Sequence, residues 1–248
     1  MAPSPVDHVL VALFAVLWPA YTVLVWLPRV RHPLERSEPH TRLRVYRHVM
    51  IVSWSLTAAV LAWWFGTGRA AAGVGFAVPR GWPFWIGAVV AAAAAVLLGM
   101  QTAGVRASAE MRERIRRQLA GVAGLLIPRG DRERRAFTAL SLTAGFCEEV
   151  LFRGFLIWYL RTWLPLPAAV AVSAALFGMA HLYQGWGGVL KTAAAGAIFG
   201  VAYGLTGSLW VPIALHATVD VTSGLTGSIA LESGTPPATA APGGQEGR

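Results

Sequence analysis

Apolar runs long enough to cross a bilayer recur along the whole chain, and nothing else in the sequence constrains its fold as strongly. Seven can be marked, at residues 8–28, 48–66, 82–103, 136–160, 166–183, 189–205 and 208–229. Each approaches the roughly 20 residues that a helix needs to span ~30 Å of hydrocarbon. A backbone inside lipid must satisfy its own N–H and C=O groups, so runs of this kind are helices. Composition agrees, with 55% hydrophobic and 13% charged residues, outside the range of ordinary soluble domains. The expected fold is all-α: a polytopic transmembrane helical bundle of about seven spans plus one interfacial amphipathic helix.

The stretch "MAPSPVDHVL" ahead of the first run carries no basic segment, and no small-residue cleavage site follows it, so this run reads as a retained anchor. The net charge of +9 is concentrated in two segments. Between Arg29 and Arg47 six arginines face Glu35 and Glu38, and between Arg106 and Arg135 nine arginines face Glu110, Glu113, Asp131 and Glu133. The positive-inside rule makes both segments cytoplasmic, which places the N-terminus outside and, after seven spans, the C-terminus inside. Anionic lipid is the partner such segments suit, and nucleic acid is not expected. Twenty arginines against the single Lys191, with heavy use of alanine, point to a bacterial plasma membrane. The lone Cys147 can form no intrachain disulfide and reads as a small core residue.

Along the chain, residues 1–103 read as N-terminal transmembrane helices and 104–135 as a basic loop with the interfacial helix. Residues 136–230 form the catalytic transmembrane core, and 231–248, rich in Pro, Gly, Ala and Thr, a disordered tail. The interfacial helix is expected within 108–128, where charges at helical spacing give way to apolar residues. Gly196, Gly200 and Gly204 share one helical face and predict close approach of a neighbouring helix.

The ionisable residues well inside the apolar runs are Glu148, Glu149, Arg153, His181, Lys191, His216 and Asp220, all in the C-terminal half. Lys191 is expected to snorkel to the headgroups. A charge at mid-bilayer costs roughly 2.5–3.5 kcal/mol, so the cluster "EEVLFR" would cost about 8 kcal/mol or more facing lipid. These side chains must face protein or a water-filled cavity. Glu149 and Arg153, four apart, form the natural ion pair. Glu148 lies on another face without a partner in its own helix, which makes it the candidate general base.

Two further polar stations follow, Phe177 with His181 in "FGMAH" and His216 with Asp220 in "HATVD", each pair four residues apart. Carboxylates and imidazoles on three helices find polar partners only by converging, and their convergence is what hydrolysis requires. A polar network that merely fixes helix packing is the structural alternative.

These three stations resemble the CAAX-protease and bacteriocin-processing family of intramembrane proteases, which includes the prenyl-protein endoprotease; the likeness covers roughly residues 129–225. The family's motifs stand here as Glu148, Glu149 and Arg153, then Phe177 and His181, then His216 and Asp220. The resemblance implies an intramembrane endopeptidase acting on a membrane-associated or prenylated protein or peptide precursor. Glu148 and His181 would activate water, His216 with residue 220 would stabilise the oxyanion, and Glu149 and Arg153 would support the site. The family is often called metalloproteases. Glu148, His181 and His216 are the candidate ligands for a divalent ion such as zinc, and water activated by glutamate without metal fits the same residues. Position 220 holds Asp where Asn also occurs; an ionised Asp only accepts, so Asp220 would be protonated, orient His216 or bind a metal.

Two other functions compete. One is a non-catalytic membrane scaffold or bacteriocin self-immunity protein. The other is a proton-coupled transporter, disfavoured because no matching polar set appears in the N-terminal half. On helix rise, Glu148 lies ~18 Å from the cytoplasmic end of its span and His216 ~12 Å from the outer end of its own. His181 falls near the cytoplasmic end, so the cavity is expected to open toward the cytoplasm.

Overall fold

The computed structural model describes residues 2–38, 40–79, 81–119 and 121–232, and among these every regular element is helical. Helix α1 runs Pro5–Glu35, α2 Thr41–Gly66, α3 Trp82–Ala107 and α4 Ala109–Gln118. Helix α5 occupies 130–160, α6 Leu166–Ala180, α7 Trp186–Thr206 and α8 Trp210–Glu232. All seven apolar runs are therefore helical, but only α1, α2, α3 and α7 are long and apolar enough to cross a membrane. The reason is specific. Helix α6 has 15 residues, about 22 Å of rise. Helix α5 is interrupted by Glu148, Glu149 and Arg153, and α8 by His216 and Asp220. The helices that fall short are the ones that carry the polar stations.

Large apolar side chains point outward on the other helices, among them Leu24 on α1, Val89 and Leu97 on α3, and Leu190 and Leu205 on α7. Belts of this kind are a liability in water and a requirement in lipid. The chain is an integral membrane protein.

Helix α1 starts in a reciprocal cap. The Asp7 amide donates to Ser4 Oγ at 3.4 Å and the Ser4 amide to Asp7 Oδ2 at 2.7 Å, with Pro5 in the first turn. The Asp7 carboxylate, fully buried, also takes both ends of the Arg69 guanidinium at 2.7 Å each. Arg69 in turn lies 4.4 Å over the Trp158 ring, so one bidentate pair ties α1, the segment after α2 and the end of α5 together. Farther on, Pro19 and Pro28 lack an N–H and crowd the carbonyl four residues back. Wide π turns at Leu13–Leu17 and Thr22–Trp26 stand just before them and absorb the mismatch.

The amphipathic stretch 108–128 is not one helix. Ser108 caps α4 by accepting from the Met111 amide at 3.2 Å. The helix then ends at Leu119, and after Gly121, with φ +80°, a separate turn spans Val122–Leu125. Its arginines explain why the first part does not simply float in the headgroups: Arg116 Nη2 donates to the Ala230 carbonyl at 2.9 Å, and Arg112 Nη1 to that of Arg106 at 2.6 Å. Residues 231 and 232 of the expected tail belong to α8, whereas 233–248 lie outside the described residues.

Helices α6 and α7 meet along the glycine face of α7. A Cβ at Gly196 would stand 3.0 Å from Phe177, at Gly200 2.8 Å from Val170, and at Gly204 3.3 Å from Leu166. Helices α5 and α8 run antiparallel and touch at Gly145, where a Cβ would come within 2.9 Å of the Ala217 amide nitrogen. That contact sits one turn from Glu148 on one helix and one residue from His216 on the other. Gly145→Ala is therefore expected to lower stability by about 1–3 kcal/mol in a denaturation measurement. Gly99→Ala, where a Cβ meets nothing within 4 Å, is expected to be neutral, and equal behaviour of the two variants would contradict this packing.

Candidate active site

The three stations converge. Glu149 and Arg153 lie behind the site, their side chains 0% and 1% exposed, with Arg153 Nη1 3.0 Å from Glu149 Oε1. This contact is an ion pair without an aligned hydrogen bond, since Arg153 Nη1 has no hydrogen-bond partner. Instead Arg153 Nη2 donates to the Gly196 carbonyl at 3.1 Å, and the guanidinium lies 4.2 Å over the Phe177 ring. Gly196 is needed here, because a Cβ would stand 3.1 Å from that Nη2. Arg153 belongs to a π turn, Val150–Leu156, that begins directly after Glu149. Turns of this kind are frequent at functional sites.

Glu149 does more than pair with Arg153. The same Oε1 lies 2.8 Å from His216 Nδ1. A carboxylate can only accept, so Nδ1 carries the proton and Nε2 is turned forward. Phe199 stacks on the His216 ring at 5.1 Å. His181 is fixed in the same sense: Nδ1 lies 2.8 Å from the Phe177 carbonyl oxygen, which also only accepts. The Phe177 ring stands edge-on to it at 4.8 Å.

Both forward-facing nitrogens point at Glu148. Its Oε2 lies 3.9 Å from His181 Nε2 and 3.8 Å from His216 Nε2, and this buried oxygen has no hydrogen-bond partner of its own. Separations of this size are longer than a direct hydrogen bond. Asp220 Oδ2 completes the group, 3.6 Å from His216 Nε2. Among the described residues no group of three His, Cys, Asp or Glu side chains is disposed to hold a metal ion.

Glu148, Phe177, His181, His216 and Asp220 all line one cavity of about 480 Å³, whose walls come from α1, α2 and α5 to α8 and are mostly apolar. It runs from Glu148 to Leu34, Tyr46 and Ile127, the end at which both arginine-rich segments lie. Glu149 and Arg153 are not in the lining. Lys191 is, and it is exposed.

Sequence reasoning missed three contributors. The bond from His216 to Glu149 links residues 67 positions apart, beyond any spacing rule. Phe199 carried a weak signal, as the aromatic residue beside the glycine face. Tyr183 carried none beyond its place two residues after His181.

Residues 134–222, which hold all three stations, match the Rce1-like family, described as type II CAAX prenyl endopeptidase Rce1-like. No curated protein and no solved structure matches the chain. The match spans helices α5 to α8, the part of the chain that carries the whole candidate site.

Proposed function

We propose that this protein is an intramembrane endopeptidase of CAAX type, in which α1 to α3 and α5 to α8 all cross the membrane and which hydrolyses a peptide bond in its cavity with water activated by Glu148. The observation that carries this reading is the meeting of Glu148 Oε2 with two imidazole Nε2 atoms on the wall of an apolar cavity. Glu148 takes a proton from water held with His181, and the hydroxide attacks the scissile carbonyl. His216 acts as the doubly protonated imidazolium: Glu149 holds its Nδ1 proton, Nε2–H donates to the oxygen that gains charge, and Asp220 orients the ring. Collapse expels the amine, which takes the proton from Glu148. The arginine-rich segments are the cytoplasmic, lipid-facing side, and the cavity opens there.

The substrate is a membrane-associated or prenylated protein or peptide precursor, because the same cavity that holds the carboxylate is lined by Trp18, Trp26 and Leu34 and offers an apolar chain a place out of water. Purified protein in liposomes is expected to cleave a fluorescent peptide bearing a thioether-linked isoprenoid faster than the same peptide without it. Equal rates would remove the isoprenoid from the reading, and no cleavage of either would count against proteolysis.

A further inference from the structure

A carbonyl under attack needs donors aimed at its oxygen, and oxyanion sites commonly supply two. The protons of this site can be followed one by one. The Nδ1 proton of His181 is held by the Phe177 carbonyl and that of His216 by Glu149. Arg153 is spent on Glu149 and the Gly196 carbonyl. Asp220, when ionised, accepts and cannot donate. Among the three stations, with His181 neutral and its Nε2 an acceptor, that leaves one donor, the Nε2–H that His216 carries when doubly protonated, its Nδ1–H being held by Glu149.

Tyr183 offers a second. It lies in the turn Leu182–Gln184 that directly follows His181, its ring 5.8 Å from the His181 ring and tilted 36° to it. It lines the same cavity as Glu148, His216 and Asp220. The Tyr183 hydroxyl oxygen accepts from Gln184 Nε2 at 3.1 Å, while its own proton is given to none of the described residues. A phenol keeps that proton at neutral pH.

The turn is built to hold this arrangement. The Gln184 amide donates to the His181 carbonyl and the Gly185 amide to the Leu182 carbonyl, both at 2.9 Å, and Gly185 has φ +80°, a conformation that favours glycine. At Gly188 a Cβ would stand 2.4 Å from Gln184 Cβ and 3.0 Å from Gln184 Oε1. Any larger residue there would displace Gln184.

We propose that Tyr183 is a catalytic residue whose hydroxyl donates a hydrogen bond to the scissile carbonyl oxygen as it becomes an oxyanion, with Gln184 as the positioning residue that turns the proton into the cavity. The proposal rests on the reading of the site as a hydrolase. Water oxygen bonds to the carbonyl carbon, the C=O pair moves to oxygen, and Tyr183 O–H and His216 Nε2–H receive it. Tyr183 keeps its proton throughout, and the leaving amine takes the one that Glu148 removed from water.

Tyr183→Phe keeps the ring against His181 and removes only the donor. In the liposome assay kcat is expected to fall about 100-fold, with KM within about twofold. Gln184→Ala and Gly188→Ala should fall less, each leaving Tyr183 in place without its guide. Affinity for a peptidyl phosphonamidate, whose tetrahedral anion imitates the oxyanion, should fall by the same factor as kcat, while affinity for an uncleavable peptide analogue should not change. That paired readout also separates a lost donor from a loosened fold, which would weaken both ligands alike. Wild-type kcat in Tyr183→Phe, a change confined to KM, or equal weakening of both ligands would each overturn the proposal. If Glu148→Gln is inactive while Tyr183→Phe is fully active, only the role of Tyr183 falls. If Glu148→Gln is also active, the hydrolase reading falls with it.

Discussion

Glu148→Gln is expected to lower kcat by about 10²- to 10⁴-fold, the range that a lost general base costs, while the protein keeps wild-type thermal stability. The second half of that expectation follows from the geometry. Glu148 touches neither imidazole directly, at 3.8 and 3.9 Å, and its side chain is 22% exposed to the cavity. Gln has nearly the same shape and loses only the basic oxygen. The buried Arg153 does not depend on Glu148, since Glu149 neutralises it. Turnover and melting temperature measured on the same preparation check both halves. Comparable activity, or an activity loss that simply tracks unfolding, would contradict the role.

Arg153→Ala should behave in the opposite way, with stability lost first. It would leave the Glu149 carboxylate 0% exposed and without its counter-ion, remove the side-chain donor to the Gly196 carbonyl, and open a void beneath the Phe177 ring. Breaking one side of a buried pair costs about 3–5 kcal/mol, because the charge left behind is uncompensated. Removing both charges is far cheaper. The double variant Glu149→Gln, Arg153→Met is therefore expected to recover most of the stability. It should not recover activity, because His216 would lose the carboxylate that holds its Nδ1 proton. Reversible denaturation in detergent, with turnover measured in parallel, checks both statements. A double variant no more stable than Arg153→Ala would show that the pair is not what matters.

How far the chain could be read from its letters follows from where each interaction lies. The cost of a charge in lipid singled out Glu148, Glu149, Arg153, His216 and Asp220 without any structure, and the four-residue spacings placed Arg153 beside Glu149 and Asp220 beside His216. Helical runs were legible for the same reason, since lipid leaves the backbone no other choice. What a spacing rule cannot see is contact between helices, so the division of labour that sets Glu149 under His216, and not only beside Arg153, emerged from the packing of α5 on α8. That Lys191 also lines the cavity could not be read from the sequence, because its position along the helix does not tell which face meets the cavity. The Asp7–Arg69 latch escaped because both residues fall just outside the apolar runs, although "SPVD" carries the Ser-x-x-Asp form of a helix cap. The end of α4 at Gln118 escaped because the amphipathic pattern continues across Gly121.

The central claim is that Glu148 hydrolyses peptide bonds, and its most direct test is chemical labelling of new peptide termini in membranes holding either wild type or Glu148→Gln at equal expression. Identified by mass spectrometry, termini present with wild type and missing with Glu148→Gln are the predicted result, and they would name the substrate. Identical terminus maps from the two membranes would contradict the claim and reduce the convergence of Glu148, His181 and His216 to a packing network.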